Sequence, residues 1–270
     1  MKSNLAKIFR IQTFLQGIKY PDSYRIGRDI TQYLNKNKRS SEEKILRRLH
    51  NKEPWEYIKG STEFCNNVFK VTKDTLIPRI ETEQLVSECK DIIEKEKIKN
   101  IIDVGTGTGC IIISLASILK KKTPYSFYGT DISAKALNVA KKNEKEILKK
   151  EKITWIRGNL INKVTDIKGK TLIIANLPYI PTKQYENLDN SVKQYEPREA
   201  LDGGINGLKY YKELFLQLRD NKINPKVIYI ETEESIFQET KKLIMEFYPK
   251  ANISEIKDIF ERDRFLKILT

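Results

Sequence analysis

Four consecutive residues, Asn176, Leu177, Pro178 and Tyr179, offer the groups best suited to chemistry in this sequence. They follow an apolar run at residues 171–175, which is typical of a short buried strand. The side-chain oxygen of Asn176 and the backbone carbonyl of Leu177 can accept both N–H bonds of a planar –NH₂ group. Tyr179 can cover the flat face of that group. The motif therefore predicts a site that holds an amide or amino nitrogen still during a reaction at that nitrogen.

A glycine-rich loop upstream of this motif, at residues 103–109, is a candidate cofactor site. It follows a predicted strand and opens a predicted helix, where glycines permit tight turns and the close approach of a ligand. Its glycines alternate as Gly-x-Gly-x-Gly, whereas the nicotinamide fingerprint is Gly-x-Gly-x-x-Gly. Asp131 ends the next predicted strand, where its carboxylate can accept hydrogen bonds from two ribose hydroxyls. The candidate residues of the loop are Asp103, Gly105, Thr106, Gly107, Thr108 and Gly109.

Together the loop and the motif predict a methyltransferase that acts on an amide or amino nitrogen. A nicotinamide or flavin site, and a glycine turn that only packs, are the alternatives for the loop. The cysteines Cys65, Cys89 and Cys110 are scattered, which argues against a disulfide framework and a zinc site. The single histidine, His50, ends a predicted helix, so we expect neither a metal centre nor Ser-His-Asp chemistry.

Length and composition are those of a globular protein with one large or two modest domains. The chain has 270 residues, of which 39% are hydrophobic and 32% charged. No apolar run approaches the roughly 20 residues of a membrane helix, and the first residues lack a secretory signal. We therefore expect a cytoplasmic protein with no membrane association.

The net charge of +14 is unevenly distributed. Residues 1–75 hold 16 basic and 8 acidic residues. Such a surplus attracts polyanions, so the N-terminal region is a candidate for proximity to the ribosome or to RNA. Lysine-rich helix faces in contact with solvent are the alternative explanation.

The periodicity of apolar residues divides the chain into three parts. Residues 4–50 carry helical spacing in about three segments, whereas residues 54–75 resemble a β-hairpin that links them to the rest. From about residue 76 strands alternate with helices, which predicts a mainly parallel α/β sheet covered by helices on both faces. Strands are predicted at residues 101–104, 126–130, 153–157, 172–175, 227–231, 253–259 and 265–269, and helices at residues 110–120, 133–149 and 235–247.

Four further segments, in order along the chain, carry a resemblance to a known family. They are residues 54–60 with Glu63 and Phe64, residues 76–83, residues 195–204 with Gly207 and Leu208, and residues 260–264. With the loop and the motif, they make the chain similar to class I S-adenosylmethionine-dependent methyltransferases. Within that class it resembles the peptide chain release factor glutamine methyltransferases over nearly its whole length.

The resemblance implies a seven-stranded, Rossmann-like methyltransferase sheet with three regions. These are a small N-terminal helical domain (residues 1–53), a linking β-hairpin (54–75) and the methyltransferase domain (76–270). It implies S-adenosylmethionine as cofactor, with residues 105–109 around the methionine part, Asp131 at the ribose, and Asn159 and Leu160 beside the adenine. Asn176 would also border the cofactor, and Arg79 and Glu81 are candidates for substrate or loop positioning, with surface ion pairing as their alternative.

The implied reaction is methylation of the side-chain amide of the glutamine in the Gly-Gly-Gln motif of release factors. The family has proline where Leu177 stands, but a leucine keeps the carbonyl that accepts the substrate N–H. We expect the loss of the fixed proline φ to cost on the order of 1 kcal/mol, so activity should persist. The alternatives are a ribosomal-protein glutamine methyltransferase, a nucleic-acid adenine methyltransferase, and a relative that binds RNA or cofactor without catalysis.

Overall fold

The structure is a computed structural model that describes residues 2–119, 124–165 and 167–270. Its α-helices are α1 (Lys2–Gly17), α2 (Ser23–Lys36), α3 (Glu42–His50), α4 (Trp55–Lys59), α5 (Glu81–Glu96), α6 (Cys110–Ile118), α7 (Ala134–Leu148), α8 (Thr182–Tyr185), α9 (Asn190–Tyr195), α10 (Lys209–Asp220) and α11 (Phe237–Phe247). Its strands are β1 (Ser61–Phe64), β2 (Asn67–Lys70), β3 (Asn100–Val104), β4 (Ser126–Asp131), β5 (Ile153–Arg157), β6 (Thr171–Ala175), β7 (Val227–Glu231), β8 (Asn252–Lys257) and β9 (Asp263–Leu269). Short 3₁₀ helices cover Arg198–Ala200 and Glu234–Ile236.

Within the described residues, seven strands form one sheet in the order β5-β4-β3-β6-β7-β9-β8. Strands β3 to β7 are parallel, whereas β9 lies antiparallel between β7 and β8. The fold class predicted from the sequence, a mainly parallel seven-stranded sheet with an N-terminal helical part and a β-hairpin, is confirmed.

Successive residues of the central strands pack on opposite faces of this sheet. Ile101 and Leu172 belong to the core under α5 and α6, whereas Ile102 and Ile173 belong to the core under α10 and α11. Side chains alternate across a strand, so both faces are covered and the strands β3, β6 and β7 are buried throughout. This explains why their sequences are continuous apolar runs and do not alternate.

Helices α1 to α4 enclose a core of their own. It contains Ile11, Leu15, Ile26, Ile30, Leu34, Ile45, Leu49 and Trp55. Two tyrosine hydroxyls connect these helices to the rest: Tyr57 donates to the carbonyl of Thr75 (2.6 Å) and Tyr195 donates to that of Asn51 (3.0 Å). Some of the basic residues of these helices form ion pairs, as Arg10 does with Glu42. The predicted proximity of this region to RNA stays a prediction.

The linker differs in part from its prediction. The antiparallel hairpin of β1 and β2 occupies only residues 61–70, and residues 55–59 form the helix α4. Trp55 is the first residue of that helix, and its buried indole donates to Asp29 Oδ2 on α2 (2.6 Å). The aromatic composition that favoured a strand therefore reflects packing onto the N-terminal helices.

The other predicted ends of helices and strands agree with the structure within about two residues. The end predicted at residue 120 lies outside the described residues. The predicted strand at residues 253–259 ends at Lys257. The Asp258 carboxylate accepts hydrogen bonds from the backbone N–H groups of Phe260 (2.8 Å) and Arg262 (3.1 Å), which closes a tight turn. No helix in the described part of the chain is long and apolar enough to cross a membrane.

Candidate active site

The glycine-rich loop and the Asn-Leu-Pro-Tyr motif meet at the carboxyl edge of the sheet. The loop follows β3 and the motif follows β6, and these strands are neighbours, with Val104 paired to Ala175. The chain continues from β3 to β4, towards one edge of the sheet, whereas it continues from β6 to β7, towards the opposite edge. Loops that diverge in this way leave a crevice, which is where open α/β sheets bind ligands.

The loop has the backbone of a ligand cradle. Gly105 and Gly107 both have positive φ, at +71° and +56°, a region that favours glycine. A Cβ atom built on Gly107 would meet nothing within 4 Å, so this glycine faces open space. The Gly107 N–H donates to Asp131 Oδ2 (2.9 Å), and the Ser133 N–H donates to the other carboxylate oxygen (2.8 Å). These bonds hold the carboxylate at the end of β4 and leave further lone pairs for a ligand.

A cavity of about 290 Å³ lies between the ends of β4 and β5, and Ile132, the residue after Asp131, lines it. Asn159 lines it, and its Nδ2 donates to Glu213, which leaves Oδ1 as the acceptor for an incoming donor. Ile132 contributes an exposed apolar side chain, at 63% relative accessibility. Leu160, by contrast, is packed in the core and not among the residues that line the cavity. The residues that line it are Ile132, Arg157, Gly158, Asn159, Asn162 and Lys163.

The loop is held in place by hydrogen bonds of three buried residues, Asp103, Thr106 and Thr108. The hydroxyl of Thr106 donates to Asp103 Oδ2 (2.6 Å), and the Thr108 carbonyl accepts from Asn143 Nδ2 (2.9 Å). The same Asn143 amide bonds the backbone N–H and carbonyl of Lys70, so the β-hairpin and the loop share one anchor. Sequence patterns had not indicated Asn143, because its partners lie 35 and 73 residues away.

The buried Asp103 gives a pH-dependent prediction. Burial raises the pKa of this carboxyl from 3.8 to about 7. Because the folded pKa lies above the unfolded one, its stabilising contribution is full below about pH 4 and declines as the pH rises to about 7. We expect Asp103→Asn, which cannot titrate, to gain stability relative to the wild type as the pH rises from about 5 to about 7. Urea unfolding at each pH measures this difference.

Asp202→Asn is the matched control. Although burial opposes it, hydrogen bonds from Thr182, Arg198 and Gly204 hold the pKa of Asp202 below its usual value. This carboxylate stays ionised over the whole range, so the difference between this variant and the wild type should not change with pH. Parallel curves for Asp103→Asn and the wild type would contradict the prediction.

The chain after β6 is clamped by the segment at residues 201–207. The Ile180 N–H donates to the carbonyl of Leu201 (3.0 Å), and the Gly203 N–H donates to the carbonyl of Ile180 (2.8 Å). A Cβ atom on Gly207 would lie 2.3 Å from the carbonyl oxygen of Tyr179. Glycine at this position is therefore required by the close approach of two backbones.

The side chain of Asn176 contacts Thr82, which lies 94 residues away in sequence. Its Nδ2 lies 3.4 Å from Thr82 Oγ1, and the Thr82 hydroxyl donates to Glu231 Oε2 (2.8 Å). The Tyr179 hydroxyl lies 3.5 Å from the other oxygen of Glu231. Burial raises the pKa of Glu231 to about 7. Among the described residues, none donates a hydrogen bond to Asn176 Oδ1, so this acceptor is available to a ligand.

Leu177 packs its side chain against the glycine-rich loop. A Cβ atom on Gly105 would lie 2.9 Å from Leu177 Cδ2, so the motif and the loop are in direct contact. The Leu177 carbonyl lies 3.5 Å from the Tyr211 hydroxyl, whose proton is donated to the carbonyl of Glu231. A hydroxyl has one proton, so the Leu177 carbonyl keeps lone pairs for a ligand.

Arg79 and Glu81 lie next to this site but both form ion pairs. Arg79 Nη2 donates to Glu196 Oε1 (2.6 Å), and the buried Glu196 also accepts from the backbone of Ile77. Glu81 accepts from Arg262 Nη2 (2.8 Å), which belongs to the connection between β8 and β9. These pairs hold the segment before α5 against the later loops, so loop positioning is the role that the contacts favour.

The other chemically notable residues lie outside this constellation. His50 is exposed at the end of α3. Cys89 and Cys110 are buried and Cys65 is half-buried, and burial raises the pKa of the Cys65 thiol to about 11. A cavity of about 350 Å³ lies between α2, α4 and β1, elements that carry none of the predicted site residues.

Comparisons with known proteins show similarity to methyltransferases. A family model described as "Methyltransferase domain" matches residues 95–163. The chain is 37% identical over 191 residues to the release factor glutamine methyltransferase of Fusobacterium nucleatum, covering 71% of this chain and 52%, about half, of that protein. It is 34% identical over 224 residues to the release factor glutamine methyltransferase of Lactococcus lactis, covering 83% of this chain and 80% of that protein.

A solved structure supports the fold. The N-terminal domain of human METTL16 in complex with SAH matches with a TM-score of 0.51 and 18% sequence identity. The match covers 74% of this chain and 75% of that one. At this identity the likeness concerns the fold alone.

Proposed function

The chain belongs to the family of release factor glutamine methyltransferases, and we propose that it methylates the side-chain amide nitrogen of the glutamine in the Gly-Gly-Gln motif of a release factor. It is an S-adenosylmethionine-dependent methyltransferase. The observation that carries the finer proposal is the pair of available acceptors, Asn176 Oδ1 and the Leu177 carbonyl, beside the glycine-rich loop. Two acceptors on neighbouring residues match the two N–H groups of a carboxamide.

The cofactor fits the residues that surround the loop. The open space over Gly107 gives room for the ligand, and the Asp131 carboxylate offers the acceptors that ribose hydroxyls need. Asn159 lines the adjoining cavity, and because its Nδ2 donates to Glu213, its Oδ1 is the atom that can accept from an exocyclic amine. We assign these residues, with residues 103–109, to cofactor binding. S-adenosylmethionine supplies the electrophilic methyl group.

The chain's own residues orient the poor nucleophile. An amide nitrogen has its lone pair delocalised into the carbonyl, and positive charge would develop on the nitrogen as it takes the methyl group, until one N–H proton is lost to solvent. Acceptors that bond both N–H groups stabilise that charge and align the nitrogen with the donor. Because Asn176 and Leu177 follow the buried strand β6, their positions are fixed before the substrate binds. We assign Asn176, Leu177, Pro178 and Tyr179 to substrate binding and catalysis, with Pro178 holding Leu177 extended.

Mass spectrometry of release factors incubated with the protein and S-adenosylmethionine tests the proposal. We expect one added methyl group on the peptide that contains Gly-Gly-Gln, and none when its glutamine is replaced by glutamate. Transfer to a ribosomal protein or to adenine in a nucleic acid, with none to a release factor, would contradict the proposal. The similarity to release factor glutamine methyltransferases favours the release factor as the substrate.

Tyr179 gives a prediction about the face of the substrate amide. We expect Tyr179→Phe to retain turnover within about fivefold, because the ring remains and only a long contact to Glu231 is lost. Tyr179→Ala should lose about 100-fold, since a misplaced reacting group costs about this much. Steady-state methylation of a release factor measures both variants. Equal losses would argue against stacking of the ring on the amide.

A further inference from the structure

The side chain of Asn176 can act as an acceptor in only one of its two amide orientations. If the amide is rotated by half a turn, its –NH₂ group faces the substrate and meets another donor. A site that depends on Asn176 Oδ1 therefore needs a device that selects one orientation. The proposed function makes this requirement, and the inference below rests on it.

Thr82 is placed to make that selection. It is the second residue of α5 and only 2% exposed, with its hydroxyl between the Glu231 carboxylate (2.8 Å) and Asn176 Nδ2 (3.4 Å). Above about pH 7 the Glu231 side chain is ionised and is an acceptor only, so the single proton of the Thr82 hydroxyl is donated to it. The Thr82 oxygen is then left as an acceptor towards Asn176. Only the –NH₂ end of the amide can face it.

Glu231 is fixed in turn by the sheet. It is the last residue of β7, is 2% exposed, and pairs through its backbone with Phe265 on β9. Its backbone carbonyl accepts from the Tyr211 hydroxyl on α10. The carboxylate thus has a defined position at the carboxyl edge, 149 residues from Thr82 in sequence.

We propose that Glu231 and Thr82 are positioning residues that orient the amide of Asn176, so that Oδ1 faces the incoming glutamine. Neither residue touches the reacting atoms. The hydrogen bonds run in one direction, from Asn176 to Thr82 and from Thr82 to Glu231. Without the Thr82 hydroxyl the amide of Asn176 can adopt either orientation. Its Oδ1 then faces the substrate for only part of the time.

Thr82→Val and Thr82→Ser separate this role from packing. Valine has nearly the shape of threonine without the hydroxyl, whereas serine keeps the hydroxyl and loses a methyl group. At about pH 8 we expect Thr82→Val to lower kcat for release factor methylation by about 10-fold to 100-fold, with the Kd for SAH unchanged within about threefold. Thr82→Ser should recover kcat to within about threefold of the wild type. A valine variant with wild-type kcat, or a serine variant as slow as the valine one, would overturn the proposal.

Two more variants control for folding. Thr240→Val removes another fully buried hydroxyl, on α11, which donates to the carbonyl of Ile236 and lies 3.3 Å from the hydroxyl of Thr232. It should lower stability without lowering kcat. If Thr82→Val does not fold, Glu231→Gln replaces it, because a carboxamide can donate as well as accept and no longer commits the Thr82 proton. We expect Glu231→Gln to lower kcat, as Thr82→Val does.

Hydrogen exchange of the Asn176 side chain decides the inference without a methyl acceptor. In the wild type one Nδ2 proton is bonded to Thr82, so we expect its NMR signal, identified by its loss in Asn176→Ala, to exchange slowly. Exchange should become at least about 10-fold faster in Thr82→Val. Equal exchange in both proteins would overturn the proposal. If the wild type methylated no release factor, the proposed function would fail and this measurement would still stand.

Discussion

Asn176→Ala is expected to abolish methyl transfer. The substitution removes Oδ1, the side-chain acceptor that no described residue occupies, and leaves one N–H group of the substrate amide without a partner. Removal of a single preorganised hydrogen-bonding group from an active site costs about 10²–10³ in kcat, and we expect a loss at or beyond that range. The Kd for S-adenosylmethionine should stay within several-fold. Single-turnover kinetics and calorimetric titration measure the two quantities.

Asn138→Ala is the matched control, because Asn138 is exposed on α7 and belongs to no predicted site. It should retain wild-type turnover and affinity. Wild-type turnover in Asn176→Ala would refute the role of the Asn176 side chain. A large loss of cofactor affinity in the same variant would instead move Asn176 from the substrate site to the cofactor site.

Gly207→Ala is expected to have the largest effect on the backbone of the motif. The new Cβ atom would lie 2.3 Å from the Tyr179 carbonyl oxygen and 3.0 Å from Ile236 Cδ1, and the glycine has φ +74°. Since the first contact is with backbone, no rotation of a side chain relieves it, and the chain at Tyr179 must move. We expect a loss of about 3 kcal/mol or more in stability and a fall of about 100-fold in turnover. Urea unfolding and methylation assays measure these effects.

Gly60→Ala measures the effect of the left-handed backbone conformation without a steric contact of the new Cβ atom. Gly60 has nearly the same φ, +77°, but its Cβ atom would meet nothing within 4 Å. This variant should lose only about 1–2 kcal/mol, the cost of the left-handed conformation for a residue with a side chain. Its turnover should not change. Similar losses in both variants would show that the contact between Gly207 and Tyr179 does not matter.

The central strands were predictable because their sequences are short apolar runs that end at chemically distinct residues. β4 ends at Asp131, as predicted, and the strand before Asn176 is β6. The helix α4 lies within the region predicted as a β-hairpin, since Trp55 and its neighbours have the composition of a hairpin and their packing on α2 is a tertiary effect. The helix α10, which covers one face of the sheet with Tyr211, was not predicted.

The site was predictable where neighbours in sequence act together. The acceptor pair at Asn176 and Leu177 is a local feature, so its geometry follows from one strand end. The support from Thr82 and Glu231 is not local, because α5 and β7 lie in separate parts of the chain and meet only in the folded sheet. A single sequence gives no signal for such a contact. The assignment of the cofactor and substrate residues stays a prediction.

The contact between Leu177 and Gly105 links the fates of two positions. At residue 105 any side chain is opposed twice, by φ +71° and by the leucine methyl group at 2.9 Å. A shorter residue at 177 would remove one obstacle and leave the other, so neither exchange alone opens position 105 to variation. The leucine side chain therefore adds a steric barrier at residue 105 to the one that the backbone conformation already sets.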